Sequence, residues 1–188
     1  MRAESSFANN LLIAMPTLAD PNFARTVTLI CEHSDDGAMG LMINRPTTLK
    51  LREILDQLGI DHSHSLHADT LVYFGGPVQN SRGFVLHEPI GNWESTLKIT
   101  DTLGVSTSRD ILEAITRNEG PEHYIITLGY AGWGAGQLEH EVIENSWLNT
   151  PSASREILFT LPADQRWNAA VKLTGVDLSL LSSEAGHA

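Results

Sequence analysis

One group of side chains in this sequence has the composition of a metal site. His62, His64 and His67, with Asp61 and Asp69 beside them, offer enough nitrogen and oxygen ligands for Zn²⁺ or Ni²⁺. The segment has neither a helical nor a strand period that would fix the geometry of these ligands, and polar surface loops carry such residues freely. A surface loop is therefore the favoured interpretation, and we expect neither a bound metal nor another cofactor.

The sequence also offers few candidates for a catalytic nucleophile. Cys31 is the only cysteine and lies in an apolar segment, where a thiol is usually inert, although His33 would share its face of a strand. Asp35 and Asp36 precede Gly37, which is ordinary turn chemistry rather than an acid pair. The chain contains no Gly-x-Ser-x-Gly motif. The sequence thus names no catalytic residue, and a protein that is not an enzyme is favoured.

An acidic stretch near residue 140 raises the question of a two-metal carboxylate site. It contains Glu139, Glu141 and Glu144 with His140. Such sites use two helices that each carry Glu-x-x-His, and this sequence lacks them. A solvated helix face is the favoured interpretation.

A glycine-rich segment at residues 129–136 is the most suggestive local feature. A strand that runs into glycines and then into a helix presents backbone N–H groups that can hold an anion. However, Gln137 stands where a dinucleotide fingerprint would need glycine, and Glu139 would repel a phosphate. Two interpretations remain: a tight turn in which Trp133 packs, or a groove for a peptide or small ligand.

The tripeptide Asn44-Arg45-Pro46 ends a predicted strand and is the second candidate. Arg25, Arg45 and Arg82 would form an anion site if the sheet brought them together. An arginine at a strand end more often pairs with a neighbouring carboxylate, so a structural role is favoured.

Hydrophobic periodicity predicts strands interleaved with about four helices. Strands are predicted over residues 9–15, 25–33, 38–43, 70–74, 83–87, 96–100, 124–130 and 157–161. Helices are predicted over 51–58, capped by Thr47 or Thr48 and ended by Gly59; from Thr107 to about Gly120; over 137–144; and after Pro162. The Asp-Gly pair before the third strand predicts an antiparallel hairpin. This pattern favours an α+β fold with a mainly antiparallel sheet.

Composition limits the class of protein. The chain has 188 residues, 41% of them hydrophobic, which predicts one domain over 1–188 that buries about 70% of its extended surface, with 177–188 as a frayed tail. No apolar run approaches the ~20 residues of a membrane span, and no leader pattern is evident, so we expect a soluble, cytoplasmic protein. The net charge of -11 disfavours binding to nucleic acid or anionic lipid.

Three motif blocks resemble the YqgE/AlgH family of bacterial proteins across nearly the whole chain. The blocks are Pro21-x-Phe23-x-Arg25-Thr26-Val27 through Gly37-Ala38-Met39-Gly40-Leu41 to Asn44-Arg45-Pro46; Gly75-Gly76-Pro77-Val78; and Gly129-Tyr130-Ala131-Gly132-Trp133-x-x-Gly136-Gln137-Leu138-Glu139 to Trp147-Leu148. The resemblance implies a bifurcated sheet that closes into a pseudo-barrel, and it brings a label of transcriptional regulator. It supplies no catalytic residues to carry over.

These observations favour a noncatalytic cytoplasmic protein that binds or regulates through an unknown protein or small ligand. A first alternative is a hydrolase or transferase with a site near Asn44, Arg45 and Glu139, and a second is a regulator that binds DNA directly. The candidate groove combines both motifs: Asn44, Arg45, Arg82, Gly129, Tyr130, Gly132, Trp133, Gly136, Gln137 and Glu139.

Overall fold

A computed structural model describes residues 6–15, 24–151 and 153–176. These residues divide into two compact units. Unit 1 holds the described residues up to Asn44 and from Ala131 onward, and unit 2 is Arg45–Tyr130. The predicted single domain stays a prediction. The predicted frayed tail at 177–188 lies outside the described residues, as do Pro21 and Phe23 of the first motif.

The described residues form ten strands and four α-helices. The strands are β1 Leu11–Ala14, β2 Val27–Ser34, β3 Gly37–Met42, β4 Pro46–Lys50, β5 Leu71–Phe74, β6 Val78–Glu88, β7 Thr96–Lys98, β8 Gly104–Ser106, β9 His123–Trp133 and β10 Trp147–Thr150. The helices are α1 Leu51–Leu58, α2 Arg109–Thr116, α3 Gln137–Ile143 and α4 Ala163–Thr174. No helix in the described ranges is both long and apolar enough to cross a membrane.

Unit 1 is an antiparallel sheet covered by α3 and α4. Its strands follow the order β10-β1-β2-β3, and the last residues of β9 pair with β3. Strands β2 and β3 form the predicted hairpin, with Ser34 opposite Gly37. Helix α4 is fixed to the sheet by the Trp167 indole, which donates to the carbonyl of Ala14 at 3.1 Å. The buried Arg166 donates to the carbonyl of Ile43.

Unit 2 packs α1 and α2 against strands β6 and β9. Leu55 of α1 and Ile111 of α2 are fully buried and belong to one apolar cluster with Val85 and Ile126. Strands β6, β8 and β7 pair antiparallel in that order, whereas β5 pairs with β9 in parallel. Because β9 pairs with β5 and β6 in unit 2 and with β3 in unit 1, the strand pairing branches at β9. The predicted α+β class with a mainly antiparallel sheet is confirmed.

One predicted strand, over residues 157–161, is wrong. Residues Glu156–Thr160 form a single π-helical turn rather than a strand. Ile157 and Leu158 are adjacent and both buried. A short apolar run such as this one has no period that separates strand from helix.

The helix starts also differ from the sequence prediction. Thr47 and Thr48 lie in β4, and α1 begins after Lys50, whose backbone N–H donates to the Glu53 carboxylate at 3.0 Å. Likewise, α2 begins after Ser108 rather than Thr107. Gly59 ends α1 as predicted, with φ of 70°.

Candidate functional site

The glycine-rich segment at residues 129–136 is mainly a strand rather than the tight turn that the sequence suggested. Strand β9 continues through Trp133, and Gly129 has φ of 79°. A side chain at Gly129 would meet the carbonyl oxygen of Gly76, and the N–H of Gly75 donates to the carbonyl of Leu128 at 2.8 Å. The glycines of the second and third motifs therefore allow two backbones to approach closely, a role that explains them without an anion.

The turn before α3 is closed by the protein itself. Gly136 stands at the helix start with φ of 73°. The Gln137 side chain accepts from the N–H of Gly134 at 2.9 Å and donates to Glu141 at 3.0 Å. Because the Gln137 side chain accepts from the Gly134 N–H, the contacts within the turn explain it without a bound anion.

Glu141 is an acceptor shared by two buried tryptophans. The indole N–H groups of Trp133 and Trp147 each donate to Oε1 of Glu141 at 3.0 Å. The two rings meet edge to face at 6.0 Å and are only 7% and 4% exposed. The predicted solvated face is therefore wrong for Glu141, and the two tryptophans belong to the core of unit 1 rather than to a groove wall.

Glu139 is bound by His33, whose side chain is 4% exposed. Nδ1 of His33 accepts from the N–H of Phe7 at 2.9 Å, so Nε2 carries the proton and donates to Glu139 at 2.9 Å. The backbone N–H of Glu139 and the His33 ring hold the pKa of the Glu139 carboxyl below its usual range. Cys31 lies at a bulge of β2 and bonds weakly to the carbonyl of Leu29, and burial raises the pKa of its thiol. These contacts are structural.

Asn44 contacts the start of β2, whereas Glu139 contacts His33 near its end. Its side chain accepts from the N–H of Val27 at 2.9 Å and donates to the carbonyl of Arg25 at 3.1 Å. Val27 and His33 are six positions apart in β2, which is about 20 Å at roughly 3.3 Å per residue. The structure therefore does not bring Asn44 and Glu139 into one site.

The arginines of the proposed anion site have separate contacts. Arg25 stacks its guanidinium on Trp167, at 4.6 Å from the ring. The carbonyl of Arg45 accepts from the N–H of Phe74 at 2.8 Å, and Arg82 lies over Phe84. Of the three, only Arg82 borders the cavity described below.

The histidines of the first candidate group also have protein partners. Nε2 of His62 contacts Asp56 at 2.7 Å, and Nδ1 of His67 contacts the Tyr124 hydroxyl at 2.9 Å. Within the described residues, no three His, Cys, Asp or Glu side chains come together as a metal site would require.

Unit 2 contains a cavity of about 490 Å³, which sequence reasoning did not find. We call it the α1–α2 cavity, since it is bordered by α1, α2, β6 and β9. Its floor consists of buried and half-buried apolar side chains: Leu49, Ile54, Val85, Leu112, Ile126 and Leu128. Its rim consists of exposed polar side chains: Glu53, Gln57, Asn80, Ser81, Arg82 and Arg109.

A glycine and a bulge leave this space open. Between Val78 and Gly83, β6 advances five positions while β9 advances two, so residues 79–82 stand outside the ladder. Gly83 shares its strand face with Val85, which packs against α1 and α2. A Cβ at Gly83 would meet nothing within 4 Å. The missing side chain at Gly83 therefore leaves room in the cavity.

The rim charges differ in how firmly they are held. The Arg109 guanidinium donates to the carbonyl of Leu58 at 2.7 Å and to Glu113 at 2.9 Å, and so joins α2 to the end of α1. The Glu53 carboxylate accepts from the N–H of Lys50. Among the described residues, Arg82 donates only a long bond of 3.4 Å to Gln79 and lies 5.5 Å from the Phe84 ring. Arg82 is therefore the rim charge that is best placed to meet a ligand.

Comparison with known proteins identifies the family. A family model described as AlgH-like matches residues 11–179, which is most of the chain. The chain belongs to the AlgH-like family. The resemblance seen in the sequence motifs is thereby confirmed.

Relatives of this AlgH-like chain match it over its full length. It is 56% identical over 188 residues to a UPF0301 protein of Thioalkalivibrio sulfidiphilus, covering 100% of both chains. The solution structure of the AlgH protein from Pseudomonas aeruginosa is 50% identical, with a TM-score of 0.80 over 100% of this chain and 99% of that one. A crystal structure from Corynebacterium diphtheriae is 19% identical, with a TM-score of 0.74 over 97% and 94% of the two chains, and shows the fold alone.

One pair of residues in the AlgH-like chain has the geometry of a base and a nucleophile. Nε2 of His87 lies 2.7 Å from Oγ of Ser106, and Nδ1 lies 3.1 Å from the carbonyl of Pro89. Burial lowers the pKa of His87. Both side chains are 0% exposed, although Ser106 borders the cavity, and Ser106 also contacts the Thr96 hydroxyl at 2.8 Å. This pair therefore joins β6 to β8 in the interior of unit 2.

Proposed function

We propose that this AlgH-like protein is a noncatalytic binding protein of the bacterial cytoplasm, and that it acts as a regulator by holding a small ligand in the α1–α2 cavity. The observation that carries the proposal is the cavity itself. Its volume of about 490 Å³ is within the range of roughly 300 to 1,000 Å³ typical of small-molecule sites. Its apolar floor and polar rim match the composition of such sites.

Two polar residues that border the cavity, Ser106 and Glu53, support binding rather than turnover. The Ser106 hydroxyl and the His87 ring are fully buried and bonded to each other. The Glu53 carboxylate accepts from the N–H of Lys50 and thereby caps α1. General acid–base or nucleophilic catalysis needs a group within hydrogen-bond reach of the substrate, and these groups serve the fold.

The two alternative functions have less support. An enzyme site that combines Asn44 with Glu139 is disfavoured because these residues contact opposite ends of β2. Direct DNA binding is disfavoured by the net charge of -11, since affinity for the phosphate backbone depends on positive charge.

The test uses a neutral fluorescent probe, N-phenyl-1-naphthylamine, because its fluorescence rises in an apolar site. We expect saturable binding with one probe per chain. Gly83→Leu fills the cavity and should weaken probe binding at least tenfold. Gln57 is an exposed residue of α1 at the rim of the cavity, so the larger side chain of Gln57→Trp should also weaken binding.

The matched control is Gly134→Leu, in unit 1. A Cβ at Gly134 meets only the Gln137 side chain, at 3.9 Å. This variant should bind the probe as the unmodified protein does. Unchanged probe binding in folded Gly83→Leu and Gln57→Trp, with folding checked by circular dichroism, would contradict the proposal.

A further inference from the structure

We infer that the α1–α2 cavity takes an amphipathic carboxylate, with its anionic head at Arg82 and its aliphatic or aromatic tail on the apolar floor. This inference rests on the proposed function and specifies the class of ligand. It depends on the contacts of Arg82, on the other charges at the rim and on the shape of the floor.

Arg82 differs from three other arginines of unit 2 in that no carboxylate partner for it lies among the described residues. Arg52 pairs with Asp69 at 2.6 Å, Arg109 with Glu113 at 2.9 Å and Arg117 with Glu119 at 3.2 Å. Arg82 has only the Gln79 amide and the Phe84 ring as partners among the residues that the structure describes. A chain with 23 acidic and 12 basic side chains offers many carboxylates, so an arginine that meets none beside a cavity is a candidate anion site.

The aromatic ring beside Arg82 also prepares it for a ligand. A guanidinium that lies over an aromatic ring leaves its N–H donors, which point outward in the plane of the group, free to match the two oxygens of a carboxylate. Phe84 is 5% exposed and meets the Tyr130 ring edge to face at 5.7 Å, so the ring under the guanidinium is itself held in place. The guanidinium therefore lies over a fixed ring, and its N–H donors remain available to a head group.

The other charges at the rim have partners within the protein. Glu53 is the acidic side chain that borders the cavity, and its carboxylate accepts from the backbone N–H of Lys50. The Arg109 guanidinium donates to the carbonyl of Leu58 and to the Glu113 carboxylate, which offsets its positive charge, so Arg82 is the rim cation that a ligand would pair with. Asn80 and Ser81, next to Arg82, offer further polar groups for the head.

The floor fits an apolar tail. Val85 and Ile126 are 3% and 2% exposed, and Leu112 and Leu128 are half-buried beside them. Burying an alkyl chain on this surface is favourable because it removes apolar area from water. A head group alone would leave the floor in water, so a ligand with both parts matches the site best.

The experiment measures displacement of N-phenyl-1-naphthylamine by decanoate and by decanol, which share a tail and differ in the head. We expect decanoate to displace the probe at about tenfold lower concentration than decanol. Arg82→Gln should weaken decanoate about tenfold, the size of one charge-assisted hydrogen bond at a partly solvated site. The same variant should leave decanol and the probe unchanged.

The control Arg117→Gln removes the same charge from unit 2 away from the cavity. It should leave decanoate binding within twofold of the unmodified protein. Equal displacement by decanoate and decanol, or equal loss in Arg82→Gln and Arg117→Gln, would overturn the inference while leaving the cavity as a binding site. If the probe does not bind the unmodified protein, the proposed function itself fails.

Discussion

At the residue scale, Glu141 shows how one carboxylate can organise a core. It accepts hydrogen bonds from two tryptophans and from Gln137, which come from three different positions of unit 1. Glu144, one turn further along the chain, is exposed and contacts only His140 at 3.2 Å among the described residues. Two acidic residues three positions apart therefore have different importance for stability.

Replacing Glu141 with leucine should strongly destabilise the protein. The change takes the acceptor from both indole N–H donors, and removing one partner of a buried donor costs about 1–3 kcal/mol. We expect the free energy of unfolding to fall by about 2–4 kcal/mol, measured by urea denaturation. Glu144→Leu is the matched control and should change it by less than about 0.5 kcal/mol. Equal losses in the two variants would contradict the assigned role.

His87 should make stability depend on pH near neutrality. Its pKa in the folded protein is lowered by burial from an ordinary value of 6.5. The unfolded chain therefore takes up a proton first as pH falls, so this contribution is complete above pH 6.5 and decreases below it. The loss is limited to about 1.4 kcal/mol per pH unit for one group.

The measurement compares urea unfolding of the unmodified protein and His87→Gln at pH 7.5 and 5.5. The variant lacks this group and should therefore lose less stability between pH 7.5 and pH 5.5. The other seven histidines are common to both proteins, so the difference reports on His87. If the two proteins have the same pH dependence, His87 is not the group responsible.

At the element scale, the sequence predicts what depends on local pattern. The β2–β3 hairpin follows from its Asp-Gly turn, and α1 follows from its apolar spacing and Gly59. The π-helical turn at Glu156–Thr160 was missed because a short apolar run suits several backbones. The α1–α2 cavity was missed because it needs the register of β6 against β9, which brings residues distant in sequence together. Arg82 was named from the sequence, but only as part of a different site.

Gly129 tests the assignment of the glycine motif to backbone packing. Gly129→Ala places a Cβ against the carbonyl of Gly76 at a φ of 79°. We expect a loss of at least about 3 kcal/mol in unfolding free energy, from the clash and the strained backbone together. The control Gly134→Ala should be nearly neutral, since its Cβ meets only a distant side chain. A fully stable Gly129→Ala would remove this explanation.

At the scale of the whole molecule, net charge and local charge point in different directions. The chain carries -11 overall, which opposes nonspecific attraction to anions. Two of its 12 basic side chains nevertheless border one cavity, Arg82 and Arg109. Recognition of an anion at such a site depends on contact geometry and on burial of the tail rather than on long-range attraction. We therefore expect the affinity for decanoate to fall only moderately with added salt.

Ligand binding in the α1–α2 cavity is measured most directly by a nuclear magnetic resonance titration of the isotope-labelled full chain with decanoate. We expect saturable chemical-shift changes concentrated in α1, α2 and residues 80–85, and the loss of these changes in Gly83→Leu. Changes concentrated instead around Asn44 and residues 132–139, or no saturable change, would contradict binding in this cavity.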